Sequence, residues 1–128
     1  MFQLSPTAKF DDLDGVELTM SQYQKLAMRT CNITKNPDDK LFHAVFGLNA
    51  EAGEVAGLFQ KSYQGHDIDI VHMKKELGDT LWMLAEACDA IGTTLNEVAI
   101  MNIEKLRKLH VLDSIPEDNP WHIAEASK

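Results

Sequence analysis

Residues 41–59, LFHAVFGLNAEAGEVAGLF, decide the fold. Leu41, Val45, Leu48, Ala52, Val55 and Phe59 recur at the three-and-four spacing of one helix face. The only polar side chains in the stretch are His43, Asn49, Glu51 and Glu54. A helix that is apolar nearly all round is expected to be buried, so its two glutamates read as more than a solvated face. The pattern predicts a helix from about Asp38 to Gln64, with Gly65 as its left-handed cap.

Helical signals continue on both sides. Thr19 with Gln22 three residues later reads as a capping box, opening a helix whose apolar side is Met20, Tyr23, Ala27 and Thr30 and which ends before Pro37. A third helix is predicted from about Asp69 to Ile91, with Ile70, Met73, Leu77, Leu81, Leu84, Cys88 and Ile91 on one stripe and Gly92 as its stop. Thr94 with Glu97 opens a fourth, carrying Leu95, Val98, Ala99, Leu106 and Leu109. Strand signals are weak and no hairpin dipeptide lies between alternating runs. The expected fold is all-α, an antiparallel bundle of about four main helices. Residues 1–18 read as an irregular N-terminal arm, 19–111 as the helical domain and 112–128 as an extended tail holding Pro116, Pro120 and Trp121.

Composition narrows the function classes. A chain of 128 residues, 45% hydrophobic, fits one core rather than two. The net charge of −8 argues against a nucleic-acid polymer or an anionic membrane as partner, since both need clustered cations. No apolar run reaches the ~20 residues of a bilayer span. Residues 1–12 lack a signal-peptide pattern, and Cys31 and Cys88 alone make no disulfide framework. A cytoplasmic location is expected.

Glu51 and Glu54 stand three residues apart, and Glu76 and Asp79 repeat that spacing on the next helix. Residues 55–75 leave enough chain to bring the two helices antiparallel. Four carboxylates crowded together repel unless a cation sits among them, and oxygen-rich cages suit Mg²⁺ or Mn²⁺. The competing reading, two surface pairs in an acidic protein, is weaker because one pair lies in a nearly all-apolar helix. Gly47, Gly53, Gly57 and Gly78 each cost about 1 kcal/mol in a helix interior. Close helix packing or room for a metal with its waters are the two compatible reasons.

Asn102 and Lys105 fall on the stripe Val98, Asn102, Lys105, Leu109, a core-facing register that points to a role at the site. Arg107 and Lys108 read as compensation of a helix dipole. His72, four residues before Glu76, reads as a supporting or surface residue. Trp82 and Tyr63 are candidates for stacking on a base, although such residues at helical spacing usually serve a core or interface. Phe42, Phe46 and Phe59 are expected in the core, and both cysteines as ordinary buried thiols. Di-iron chemistry would need Glu-x-x-His pairs, which the second and third helices lack.

Glu51-Ala-Gly-Glu54, Glu76-Leu-Gly-Asp79 and Asn102-Ile-Glu-Lys105 together resemble the MazG-like branch of the all-α nucleoside triphosphate pyrophosphohydrolases. The resemblance covers roughly Leu18 to Val111, including Tyr23, Gln24, Thr30 and the Leu81-Trp82 pair. It implies that Glu51, Glu54, Glu76 and Asp79 bind Mg²⁺ (Mn²⁺ substituting) and carry catalysis on a nucleoside triphosphate, releasing monophosphate and pyrophosphate. Lys61, Lys105 and Asn102 would then contact phosphates or metal-bound water, and Trp82 the base. It also implies a bundle completed by homo-oligomerisation, as a homodimer or homotetramer. The alternative is a non-catalytic helical protein that senses a metal or nucleotide.

Overall fold

A computed structural model describes residues 15–32 and 36–108. Helix α1 is Met20–Met28, α2 is Pro37–Tyr63, α3 is Ile70–Ala90 and α4 is Leu95–Lys108, with no strand among the described residues. The expected arm, apart from residues 15–18, and the expected tail lie outside the described residues.

The helix ends follow local chemistry. Thr19 Oγ1 accepts from the Gln22 N–H at 3.1 Å, and Gln22 Oε1 accepts from the Thr19 N–H at 2.8 Å, closing the capping box. Asn36 caps α2 by accepting from the Asp38 N–H, with Pro37 at the first helical position. Asp69 caps α3 through the Val71 and His72 N–H groups. Gly65 (φ +97°) and Gly92 (φ +73°) take the left-handed turns after α2 and α3, as their positions predict.

Paired contacts fix the direction of α3 against α2. Lys40 meets Asp89, His43 meets Glu86 and Gly47 meets Met83, so partners descend α3 as α2 ascends. The helices are antiparallel. A side chain on Gly47 would strike the Met83 thioether, with Cε only 2.6 Å from an added Cβ. Ala44 and Ala85 are fully buried nearby, and small residues set this close approach.

Helix α1 lies on α3. Trp82 Nε1 donates to Thr30 Oγ1 at 2.9 Å and to the Ala27 carbonyl at 3.3 Å. Gln24, buried in α1, donates to the Thr93 carbonyl and accepts from the Leu95 N–H, so an α1 side chain holds the first amide of α4. Ala27, Ala85, Cys88 and Leu95 form the core, with Tyr23, Met28 and Trp82 against it.

Three expectations about burial are corrected. Helix α2 is not buried all round: Phe42, Val45, Phe46 and Phe59 are exposed, Phe46 by 70%. The stripe on α3 likewise leaves Leu77, Leu81 and Leu84 exposed. Among the described residues α2 packs on α3 alone and α3 on α2 and α1, too few neighbours to cover an apolar helix, so periodicity marked faces that these contacts leave open. Cys31 is half-buried, not fully buried, and its thiol donates to Glu86 Oε1 at 3.3 Å. Cys88 is buried, which pushes its thiol pKa up.

From Asn96 onward α4 belongs to a second compact unit. Its covered side is Leu95, Ala99, Ile103 and Leu106, while Val98, Asn102 and Lys105 are exposed. The expected core-facing register was therefore displaced by one residue, about 100° around the helix. The continuous apolar row wins over the row interrupted by Asn102 and Lys105.

Candidate metal centre

The acids begin about one helical turn beyond the Gly47–Met83 contact, Glu51 on α2 and Asp79 on α3, with Glu76 a further turn along α3. Glu51 stands on α2 and Glu76 and Asp79 on α3, and one carboxylate oxygen from each lies within 4.8 Å of the others. Glu51 and Glu76 are half-buried and Asp79 is exposed, so the cluster sits at the edge of the helix pair. Burial raises the Glu51 pKa, and the charges of Asp79, Glu76 and Glu54 raise it further.

The donor set fits a hard divalent ion. Metal–oxygen distances of about 2.0–2.6 Å allow ligand oxygens to be about 4–5 Å apart, and carboxylates are the preferred ligands. Glu76 has further support: His72 Nε2 lies 2.7 Å from its Oε1. Thr80 Oγ1 donates to the Glu76 carbonyl at 2.9 Å. Tyr23, from α1, has a phenol pKa raised by burial and then by the Asp79 charge, which places it in the field of the cluster.

The other expected site residues fall as follows. Glu54 is exposed and outside the three-carboxylate group, although its charge reaches Glu51. Lys61 is exposed in the last turn of α2. Trp82 is half-buried against the core, tied to α1 through its indole N–H. Asn102 and Lys105 are exposed on α4. An added Cβ at Gly53 or Gly78 would meet nothing within 4 Å, so close helix packing explains Gly47 and not these two.

His72 and Tyr23 extend the carboxylate site beyond the acids themselves. A second polar cluster escaped sequence reasoning. Glu86 is completely buried, with His43 Nδ1 at 2.6 Å from Oε2 and the Cys31 thiol on Oε1. The signal was present: Glu86 lies seven residues beyond Asp79 on the same helix face, and His43 eight before Glu51.

Fold and site together define an all-α protein whose antiparallel helix pair carries an oxygen-rich, cation-sized cluster. The chain belongs to the family of the MazG nucleotide pyrophosphohydrolase domain, which matches residues 42–112 and so takes in Glu51, Glu76 and Asp79. No curated protein and no solved structure matches the chain. No helix among the described residues is long and apolar enough to cross a membrane.

A cation at this cluster should change stability in a pH-dependent way. Mg²⁺ at about 100 times its dissociation constant is expected to stabilise the fold by about 2.7 kcal/mol, and chelator to remove the gain. The raised Glu51 pKa means that its ionised form costs folding free energy in the metal-free chain, a cost relieved as pH falls. Cation binding needs that ionised form. The Mg²⁺-induced rise in melting temperature should therefore be full above the raised Glu51 range and shrink as pH falls through it. The loss should begin at a higher pH than an ordinary glutamate would set. Thermal melts with Mg²⁺ and with chelator, from about pH 8 to about pH 4, measure it.

Proposed function

We propose that the protein is a Mg²⁺-dependent nucleoside triphosphate pyrophosphohydrolase, cleaving a ribo- or deoxynucleoside triphosphate to monophosphate and pyrophosphate. The observation that carries the reading is the convergence of Glu51, Glu76 and Asp79 inside the matched domain. A chain of net charge −8 needs cations to hold a polyanionic triphosphate, and this cluster is where they would concentrate.

Glu51, Glu76 and Asp79 would hold Mg²⁺, with Glu54 completing the acidic set three residues after Glu51 on α2, and Mn²⁺ would serve in its place. The bound ion supplies Lewis-acid polarisation and charge neutralisation at the phosphate oxygens. One of the glutamates orients the attacking water and takes its proton. The water oxygen bonds to the α-phosphorus as the bridge to the β-phosphate breaks, and the bridging oxygen leaves with pyrophosphate. Lys61, Asn102 and Lys105 contact phosphate oxygens or metal-bound water, and Trp82 borders the base. Residues 19–111, the span the sequence reads as the helical domain, carry this chemistry, and nucleotide-pool control in the cytoplasm is its role.

The exposed apolar residues of α2 and α3 support completion of the bundle by further copies, as a homodimer or homotetramer. Phe42 and Phe46 stack on one another at 6.3 Å between centroids while both face outward. Contiguous apolar surface of this kind marks an interaction face.

The test is pyrophosphate release from a panel of ribo- and deoxynucleoside triphosphates, with Mg²⁺, with Mn²⁺ and with chelator. Metal-dependent release with monophosphate as co-product is expected. Metal binding without release from any triphosphate would favour the sensor reading instead.

A further inference from the structure

We propose that His72 is a positioning residue for cation binding, holding the Glu76 carboxylate in place through its Nε2–H. The inference rests on Glu76 being a metal ligand. It adds a residue that touches neither the cation nor the substrate.

The start of α3 makes His72 a fixed donor. Ile68, just before the helix, is 1% exposed and anchors the incoming chain. Asp69 then caps α3, its Oδ1 accepting from the Val71 N–H at 2.9 Å and from the His72 N–H at 3.1 Å. His72 is thus tied through its own backbone before its side chain acts. Residues four apart stack along one helix face, and His72 and Glu76 are such a pair.

The bond itself is short, 2.7 Å from Nε2 to Oε1, and a carboxylate can only accept, so the imidazole donates. Glu76 has two oxygens with about four acceptor sites, so one bond from His72 leaves capacity for a cation. The side chains differ in surroundings: Glu76 is 14% exposed and His72 43%. The ligand is held inside the helix pair while its support stands at the rim.

Positioning matters because a glutamate has three side-chain torsions to order when it binds an ion. A hydrogen bond that orders them beforehand removes part of that cost, and loss of such a partner commonly weakens metal affinity about 10–100-fold. An exposed helix pair with no such role would leave cation affinity unchanged.

The experiment uses the full chain and Mn²⁺ alone, with free Mn²⁺ counted by electron paramagnetic resonance. His72→Ala should bind Mn²⁺ about 10-fold more weakly, while His72→Gln, which keeps a donor, should stay within about threefold of the parent. Glu76→Gln should lose at least about 100-fold and serves as the reference. In Mg²⁺ titrations of pyrophosphate release, His72→Ala should need about 10-fold more Mg²⁺ for half-maximal rate, with kcat at saturation within about threefold. Melting temperatures in chelator report folding of each variant. If His72→Ala binds Mn²⁺ like the parent while Glu76→Gln does not, His72 is only a helix-surface partner. If His72→Gln is as weak as His72→Ala, a donated hydrogen bond is not what places the Glu76 carboxylate, and the proposal is overturned. If Glu76→Gln also binds normally, it is the carboxylate cluster itself that falls.

Discussion

Asp79→Asn and Glu76→Gln should each lower metal-dependent pyrophosphate release by about 10³-fold at fixed, subsaturating Mg²⁺. Metal ions supply several kcal/mol of stabilisation to developing charge, and each 1.36 kcal/mol is tenfold in rate. Asn and Gln keep the shape and one oxygen of the acid but remove the charge. That separates the loss from any damage to packing. The two acids come from adjacent turns of α3 and converge with Glu51 across the helix pair, so removing either breaks a set of three. Glu54→Gln should cost less, about tenfold, because Glu54 is exposed and its carboxylate does not join that set. The comparison is made by steady-state kinetics over a Mg²⁺ range, beside Mn²⁺ binding. Equal loss at all four acids would mean that Glu54 swings in when the ion binds. No loss at Asp79 or Glu76 would remove the proposed mechanism.

The parts of the fold that were legible in the sequence are those decided locally. Thr19 with Gln22, Gly65 and Gly92 mark ends through hydrogen bonds or φ values within a few residues, and all three stand where expected. The cluster was legible because helical spacing puts Glu76 and Asp79 on neighbouring turns, and residues 55–75 return the chain antiparallel to Glu51. Burial was not legible in the same way. The apolar row of α2 says which side chains avoid water, but not whether this chain or another surface covers them. Val45 and Phe59 stand in that row and are exposed, which shows the difference. On α4 the pattern offered two rows about 100° apart, and Asn102 and Lys105 drew the reading to the row that is exposed. Glu86 was masked by composition: it is one acid among six between Asp67 and Asp89, and its register with Asp79 pairs it with His43 only once α2 and α3 are laid antiparallel.

That buried acid sets the second large effect, which is on stability. His43→Ala should destabilise the chain by about 3 kcal/mol, read as a lower urea midpoint at unchanged slope. Among the described residues the substitution leaves Glu86, wholly without solvent contact, with the weak Cys31 thiol as its hydrogen-bond donor and only the charge of Lys40 nearby. An uncompensated buried carboxylate is among the few causes of losses this large. Glu86→Leu should cost less, about 1 kcal/mol, because it removes the charge and refills the space with apolar volume. His43, its side chain 44% exposed, can then turn its freed Nδ1 to water. The two residues join α2 to α3, and Cys31 brings in the segment after α1, so they should couple strongly. In the double variant His43→Ala/Glu86→Leu the cost of losing His43 should fall to about 1 kcal/mol, a coupling of about 2 kcal/mol. Strict additivity would show that the pair is incidental to packing at Ala44 and Ala85. Strong coupling would show that a polar clasp holds α2 to α3 at one end of the seam that carries the carboxylate cluster further along. The clasp should then hold in chelator, while the stability supplied at the cluster should vanish.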